Sequence, residues 1–371
     1  FFYLMAREVF RSSPLSDWTA IASTAMVFAV PSWLTHHIYS MTLNVTLLPL
    51  FFYAVLKMQK EMNWSWIAGL LLGSIMLNHF FTAFVTCLLY AVTLLLYLIY
   101  GKFKPKRHGV AISTAALIAS TFYIPSAVFR HGYYSRNPTL ESHGGAEMLT
   151  RWVSENEAML GVALLTVILI LITGWILLRS GAGVWIRTNR IRLGSGVFFS
   201  VLGLTLLVPQ HKIVEVTGCC SREYSLGDFL FPQVHNLMHN PIGWGSVYTF
   251  LVVLGFAYGL YMLIVKRATF GLYAAICLFV VTFLMVQGMR LSFAMMTFRM
   301  WTFMTLFASL LTGYGFILIV RNMYRWDKNA AYIFIPVALA GLVYSSFAVK
   351  LEINTMVWPD HEMQFDASHD F

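Results

Sequence analysis

The sequence predicts an all-α, polytopic transmembrane helical bundle with about ten to eleven spans and extracytoplasmic loops. Of its 371 residues, 58% are hydrophobic and only 11% are charged, whereas soluble domains carry roughly 25% charged residues. The apolar residues occur in blocks of about 17–25, the length that a helix needs to cross a hydrocarbon core of roughly 30 Å. Because lipid offers the backbone no hydrogen bonds, such blocks must be helices, which satisfy their own N–H and C=O groups.

The order of the blocks gives the predicted domain organisation. Residues 1–6 indicate the end of a helix already in progress, and they lack the basic region and cleavage site of a signal peptide. We therefore expect further residues upstream of Phe1. The transmembrane domain is predicted over 1–350, and 351–371 is predicted to begin an extracytoplasmic tail or domain. The spans are predicted at 18–35, 41–56, 64–79, 81–100, 109–128, 158–178, 194–209, 244–265, 269–287, 299–320 and 330–349.

The placement of Lys and Arg predicts the orientation of the bundle. If the spans alternate in direction, most of the 25 basic residues fall into connecting segments on one side, with few acidic residues beside them. Cytoplasmic loops carry this excess of positive charge, so the basic side is predicted to face the cytoplasm of a plasma membrane. The net charge of +9 then needs no nucleic-acid partner, because basic loops lie on anionic headgroups. The basic segments are 7–17, 57–63, 101–108, 179–193, 266–268 and 321–329.

The opposite, extracytoplasmic side has a different chemistry. Every histidine except His108 falls there, together with the two longest polar loops, 129–157 and 210–243. Long polar loops on a rigid scaffold are where binding and catalytic residues concentrate. Any reaction is therefore expected on this side.

Two arginines and one histidine are the candidate site residues. Arg290 lies in a short external turn, and Arg299 opens the next span. A guanidinium stays charged and offers paired donors, so both suit a lipid phosphate. His79 lies in the turn between two predicted spans, where an imidazole can bind phosphate, donate a proton or ligate a metal. The alternatives are an interfacial anchor for the arginines and, for His79, a cap on neighbouring carbonyl groups.

The sequence argues against several classes of function. The sequence contains no P-loop, no GxGxxG, no HExxH and no GxSxG motif. No metal-ligand set has a diagnostic spacing, so no metal site is predicted. Acidic residues are almost absent from the spans, which argues against a transporter that couples to protons or Na⁺.

The chain resembles the GT-C superfamily of membrane glycosyltransferases. The resemblance covers most of the chain, and short motifs carry it: paired helices, a turn between two spans, a late arginine helix and the approach to a tail. These motifs are Phe28-Ala-Val-Pro31 with Leu47-Leu-Pro-Leu50, Leu77-Asn-His79-Phe-Phe-Thr82-Ala, Phe298-Arg299-Met300 with Gly313-Tyr-Gly315, and Trp358-Pro-Asp360.

The resemblance implies transfer of a sugar from a polyprenyl-phosphate donor to an acceptor on the extracytoplasmic face. Arg299, Arg290 and His79 would then hold the donor phosphate. In the family, an acidic residue of the first external loop serves as base or metal ligand, and this loop would lie upstream of Phe1. No residue of this sequence is therefore assigned as the catalytic base. Whether the enzyme uses a divalent cation as a cofactor is left open. The implied partners are membrane lipids and the polyprenyl-phosphate donor. Whether further subunits of a membrane complex bind this chain is left open.

Two other functions remain as alternatives at this point. The chain can be a transporter or flippase for a lipid-linked substrate, which requires a water-filled path to both faces. It can also be a non-catalytic scaffold subunit, which requires flat apolar faces covered by partners. A pocket that opens sideways to the outer leaflet and is lined by Arg299 and His79 favours the glycosyltransferase.

Overall fold

A computed structural model describes most of the chain, and its described residues are almost entirely helical. This confirms the all-α prediction. Predicted span 158–178 and loop 129–157 lie outside the described ranges, as do nearly all of span 194–209 and the tail beyond 352. The described residues are 1–31, 40–123, 194, 196, 214–215, 223–234, 241–265, 267–290, 293–294 and 297–352.

The described helices follow the predicted blocks, with four two-residue strands between them. The helices are α1 (Phe2–Val9), α2 (Ser16–Ala29), α3 (Ser40–Lys57), α4 (Asn63–Asn78), α5 (Phe80–Tyr100), α6 (Pro105–Tyr123), α7 (Leu226–Leu230), α8 (Ser246–Ile264), α9 (Phe270–Val286), α10 (Thr297–Trp326) and α11 (Lys328–Leu342). The strands are β1 (Val214–Glu215), β2 (Gln233–Val234), β3 (Pro241–Ile242) and β4 (Phe293–Ala294). A 3₁₀ turn, Gly288–Arg290, follows α9, and a π-helical turn, Val343–Phe347, follows α11.

The chain is a multi-span membrane protein. Among the described residues, four helices are long and apolar enough to cross a membrane: Phe81–Tyr100, Ser246–Ile264, Arg299–Trp326 and Lys328–Glu352. Two shorter apolar helices, Leu43–Lys57 and Phe270–Val286, accompany them. The number of ten to eleven spans stays a prediction.

Local chemistry explains where two of the helices end. α2 stops at Ala29 instead of reaching residue 35, because Val30 precedes Pro31 and is extended, with φ −87° and ψ 133°. A residue before proline is disfavoured in the helical region. α5 ends at Gly101, which adopts the left-handed conformation, with φ 70° and ψ 31°. Glycine enters this conformation without a steric cost and is a common helix stop.

α10 is the central helix of the described bundle. It packs against α2, α8, α9 and α11. Glycines permit the closest approaches. A Cβ on Gly255 of α8 would lie 2.0 Å from the Leu311 carbonyl oxygen, and a Cβ on Gly315 would lie 2.7 Å from the Leu251 carbonyl oxygen. Membrane helices associate largely by such close contact, because lipid tails compete with any apolar surface.

Charged residues of separate predicted cytoplasmic segments meet at one end of the bundle, here called the basic end. Glu8 forms ion pairs with Arg11 Nη1 at 3.5 Å and with Lys57 Nζ at 3.7 Å, and it also pairs with Lys60. The carboxylate of Glu8 thereby ties the end of α1 to the end of α3.

Two more of these segments join the same end. Lys104 Nζ donates to the Gln59 carbonyl oxygen at 2.7 Å, and Arg107 donates to the Met58 carbonyl oxygen at 2.5 Å. Tyr100 Oη donates to the Ala268 carbonyl oxygen at 3.2 Å. The structure thus places segments 7–17, 57–63, 101–108 and 266–268 together, as the alternation of spans requires.

His108 is buried at the basic end, although its sequence neighbours are loop cations. Its side chain is 1% exposed. The Nε2 atom lies 2.8 Å from Gln59 Nε2, Nδ1 lies 2.9 Å from Tyr90 Oη, and the Phe103 ring stacks on the imidazole at 5.1 Å. His108 precedes the predicted span 109–128, and burial lowers its pKa to about 4.

The burial of His108 predicts that the folded protein becomes less stable at acidic pH. In the unfolded chain His108 has a pKa of 6.5, so between pH 6.5 and 4 the unfolded state binds more protons than the folded state. The free energy of unfolding should therefore fall as the pH drops through this window, by on the order of 3 kcal/mol in total.

Thermal unfolding of the purified protein between pH 7 and pH 4 measures the effect. Because acidification also protonates carboxylates, the comparison is between the native protein and His108→Gln, which retains a polar side chain but does not titrate. The variant should lose less stability on acidification. Equal losses in the two proteins would show that His108 does not cause the sensitivity.

Candidate functional site

The candidate site begins at the turn between α4 and α5. His79 is extended, with φ −154° and ψ 113°, and interrupts the helical path between Asn78 and Phe80. Its Nδ1 accepts a hydrogen bond from the backbone N–H of Thr82 at 3.2 Å and lies 3.0 Å from Thr82 Oγ1. His79 therefore caps the start of α5, where the first N–H groups have no partner within the helix. With Nδ1 as acceptor, the neutral ring carries its proton on Nε2.

The turn is fixed against α3 by a pair of asparagines. Asn78 Nδ2 donates to Asn44 Oδ1 at 3.1 Å, and Asn44 Nδ2 donates to the Ile75 carbonyl oxygen at 3.2 Å. Asn44 is fully buried, so these bonds form in a low-dielectric interior, where losing one is costly. They hold the His79 backbone in a defined place.

Arg299 reaches the same turn from the first turn of α10. Its guanidinium Cζ lies 5.6 Å from the centroid of the Phe81 ring, within the range of a cation–π contact. The pKa of His79 is lowered, first by burial and then by the positive charge of Arg299. At neutral pH the site thus combines a neutral imidazole with a permanent cation. We call His79, Phe81, Thr82 and Arg299 the His79–Arg299 cluster.

Aromatic side chains anchor the start of α10 from the opposite face. Trp301 is fully buried, and its ring packs against Tyr224 at 5.3 Å, Phe229 at 4.6 Å and Trp244 at 5.7 Å. Residues two apart on a helix point roughly 200° apart. The buried Trp301 therefore directs Arg299 away from this aromatic packing and toward the α4–α5 turn.

The structure locates the backbone of Arg290, the third predicted site residue. It ends the 3₁₀ turn Gly288–Arg290, and β4 follows within a few residues. β4 pairs in parallel with β1, so that Val214 lies opposite Phe293 and Glu215 lies opposite Ala294. The described strand β1, from the predicted loop 210–243, is thus paired with β4, which lies in the sequence between Arg290 and Arg299.

The position of Glu215 is a feature that the sequence did not single out. In the sequence it is one of several charged residues of a long loop. A two-residue strand pairing between distant segments leaves no periodic pattern, so no sequence signal marks it. The pairing places the Glu215 backbone beside the segment that carries both candidate arginines.

The described residues show what the site is able to bind. Arg299 supplies a guanidinium, and His79 supplies an Nε2–H donor that needs no further proton at neutral pH. Both suit an anionic oxygen. Within the described ranges, no group of three His, Cys, Asp or Glu side chains is close enough to hold a metal ion.

No protein-family model matches the sequence, and no curated protein matches it. Solved structures of an oligosaccharyltransferase from Archaeoglobus fulgidus do match. The enzyme tethered to an acceptor peptide with the NVT sequon aligns with a TM-score of 0.55 and 14% identity, over 95% of this chain and 42% of that chain. The apo form aligns with a TM-score of 0.52 and 17% identity, over 95% and 43%.

A third structure is the archaeal oligosaccharyltransferase AglB from Archaeoglobus fulgidus in complex with an inhibitory peptide and a dolichol-phosphate. It aligns with a TM-score of 0.52 and 14% identity, over 95% of this chain and 43% of that chain. The chain therefore spans less than half the length of these proteins. At such identities the likeness shows the fold alone, and this chain has the fold of the matching part of these oligosaccharyltransferases.

Proposed function

We propose that this chain, which has the GT-C fold, belongs to an integral membrane glycosyltransferase. The enzyme moves a sugar from a polyprenyl-phosphate donor to an acceptor on the extracytoplasmic face. The observation that carries the proposal is the contact between Arg299 and the α4–α5 turn, which joins a guanidinium and a neutral imidazole at one end of the bundle. The fold shared with a protein solved with a dolichol-phosphate supports a lipid-linked donor.

We infer the membrane face from the two ends of α5. Its first residue follows His79, and its last residue, Tyr100, precedes Lys102 and Lys104 of the basic end. A helix of 21 residues extends about 30 Å, so the His79–Arg299 cluster lies a full bilayer core away from the basic loops. If those loops face the cytoplasm, the cluster and loop 210–243 face the extracytoplasmic side.

The proposed chemistry places positive charge where negative charge develops. When the sugar leaves the donor, its bond to the lipid phosphate breaks and the phosphate oxygen takes the electron pair. Arg299 donates hydrogen bonds to that phosphate, Arg290 adds a second guanidinium from the neighbouring turn, and the His79 Nε2–H donates a further bond. Fixed donors aimed at developing charge are usually the largest contribution to catalysis.

A base must still take the proton of the acceptor. The family resemblance implies an acidic residue upstream of Phe1 for this role. The β1–β4 pairing adds Glu215 as a second acidic residue beside the arginine-bearing segment. Glu215 is therefore a second candidate for proton transfer or for binding a divalent cation.

His79 tests the proposal most directly, because its two ring nitrogens have separate roles. His79→Asn retains a cap, since asparagine is among the best residues at this position, but it removes the Nε2–H donor. We expect this variant to fold normally and to transfer sugar at least about tenfold more slowly. His79→Ala should also lose about 0.5–2 kcal/mol of stability through the missing cap.

The assay uses the full-length protein in lipid vesicles, with a labelled sugar on a polyprenyl-phosphate carrier. Transfer should require the lipid carrier, and a free sugar phosphate should not replace it. Full activity of His79→Asn would reduce His79 to a structural cap. A native protein that moves the intact lipid-linked sugar across the membrane, without transferring it, would establish a flippase instead.

A further inference from the structure

A cavity lies at the basic end, far from the His79–Arg299 cluster. It has a volume of about 400 Å³ and lies between the turn after α1, the connection from α8 to α9, and the last third of α10. Sites for small ligands have volumes of about 300–1,000 Å³. The cavity is therefore large enough for the head of a lipid.

Cations line the outer part of this cavity. Arg267 contributes from the α8–α9 connection and Arg321 from α10, while Ser12 and Ser13 contribute hydroxyls from the turn after α1. No acidic residue is among the lining residues. Within the described part of the chain, neither guanidinium forms an ion pair with a carboxylate.

The neighbouring cations of the basic end differ in this respect. Glu8 pairs with Arg11, Lys57 and Lys60 through one carboxylate, so the fold places one negative charge among these three cations. At the cavity, Arg267 and Arg321 both belong to the lining, and no carboxylate lines it with them. An anion bound there would balance the charge of the two guanidiniums.

The deeper wall of the cavity is apolar and aromatic. The Tyr314 ring stacks on Phe10 at 5.3 Å and lies 5.6 Å from Tyr258. Ile317 and Leu318 continue this wall along α10. A free phosphate has no apolar group that could pack against this wall, whereas the glycerol and the first methylenes of a phospholipid can pack against it. The lining therefore combines cationic side chains with apolar and aromatic ones, which is the combination that a phospholipid head and its first methylenes require.

We propose that this cavity binds the headgroup of an anionic membrane phospholipid. Arg267 and Arg321 donate paired hydrogen bonds to the phosphate, the two serine hydroxyls complete its coordination, and the beginning of the acyl chains packs against Ile317 and Leu318. Basic pockets between membrane helices on the cytoplasmic side bind anionic headgroups in this way. The site is independent of the proposed glycosyl transfer, because no residue is shared with the His79–Arg299 cluster.

The test measures lipid retention by the purified full-length protein with native mass spectrometry. Phosphatidylglycerol and phosphatidylcholine with identical acyl chains are offered in equal amounts. The native protein should retain one phosphatidylglycerol in preference to phosphatidylcholine. The double variant Arg267→Gln/Arg321→Gln should retain it at least about tenfold more weakly, because both guanidinium contacts are lost.

A matched control removes two charges from the same end. Arg325 and Lys328 are exposed and do not line the cavity, so Arg325→Gln/Lys328→Gln should retain phosphatidylglycerol as the native protein does. Equal loss in both double variants would show general surface attraction and overturn the proposal.

Two further measurements on the native protein need no variant. Inorganic phosphate and glycerol phosphate are added as competitors, and neither should displace the lipid at equal concentration. Displacement by inorganic phosphate would assign the cavity to a soluble anion instead. Equal retention of phosphatidylcholine and phosphatidylglycerol would likewise overturn the proposal, even if the Arg267 and Arg321 variants fail to fold.

Discussion

Replacing Arg299 with alanine should lower glycosyl transfer by about 100- to 1,000-fold and leave the protein folded. Removal of one fixed donor to the developing negative charge has an effect of this size in other enzymes. Arg299 is half-buried, and its contact with Phe81 contributes only about 0.5–1 kcal/mol. The variant loses the charge that, in the proposed function, stabilises the leaving lipid phosphate.

Two control variants separate charge from geometry. Arg299→Lys retains the positive charge but not the paired donors, so it should recover part of the activity and remain well below the native rate. Arg325→Ala removes an exposed arginine from the other end of α10 and should leave transfer unchanged. The measurement is transfer in vesicles, with thermal unfolding of each purified variant beside it. A fully active Arg299→Ala protein would remove the main site assignment.

Replacing Gly255 with leucine should cause the largest loss of stability among the substitutions considered. A Cβ at this position meets the Leu311 carbonyl oxygen at 2.0 Å and the Gly315 nitrogen at 3.2 Å. These are backbone atoms, which cannot rotate away as a side chain does. The α8 and α10 helices must separate, and the packing around the contact is lost, so we expect a cost at or above the roughly 1–3 kcal/mol of ordinary overpacking.

Gly109 provides the matched control. It lies within α6, and a Cβ there meets no atom within 4 Å. Gly109→Ala should stabilise the helix by about 0.5–1 kcal/mol, since alanine loses less backbone freedom on folding. Thermal unfolding of both variants in detergent makes the comparison. A Gly255→Leu protein with native stability would show that α8 and α10 do not pack as closely as described.

Much of this organisation follows from the sequence alone. The long apolar blocks predict helices because lipid leaves the backbone no other partner, and the alternation of basic segments places 7–17, 57–63 and 101–108 at one end. The same alternation places His79 and Arg299 at the opposite end. The structure then brings these two residues into one cluster, which a count of spans does not by itself require.

Other features depend on contacts between distant segments. His108 belongs to a basic loop in the sequence, yet the packing of α3, α5 and α6 buries it. From the sequence, Arg267 and Arg321 belong only to basic segments that contact lipid headgroups. The cavity that they line forms where the turn after α1 meets α10. The position of Glu215 depends on the pairing of β1 with β4, and no periodic pattern of residues in the sequence predicts this pairing. Tertiary contacts of this kind are not encoded in local patterns.

The unbroken course of α10 has a consequence for the bilayer around it. Arg299 and Arg321 lie on one continuous helix, 22 residues and therefore about 33 Å apart along its axis. A typical hydrocarbon core is about 30 Å thick. In a much thinner or thicker membrane, the helix must tilt or the lipid must deform before both guanidiniums reach a polar layer. The length of the surrounding lipid chains should therefore influence whether both guanidiniums reach a polar layer at the same time.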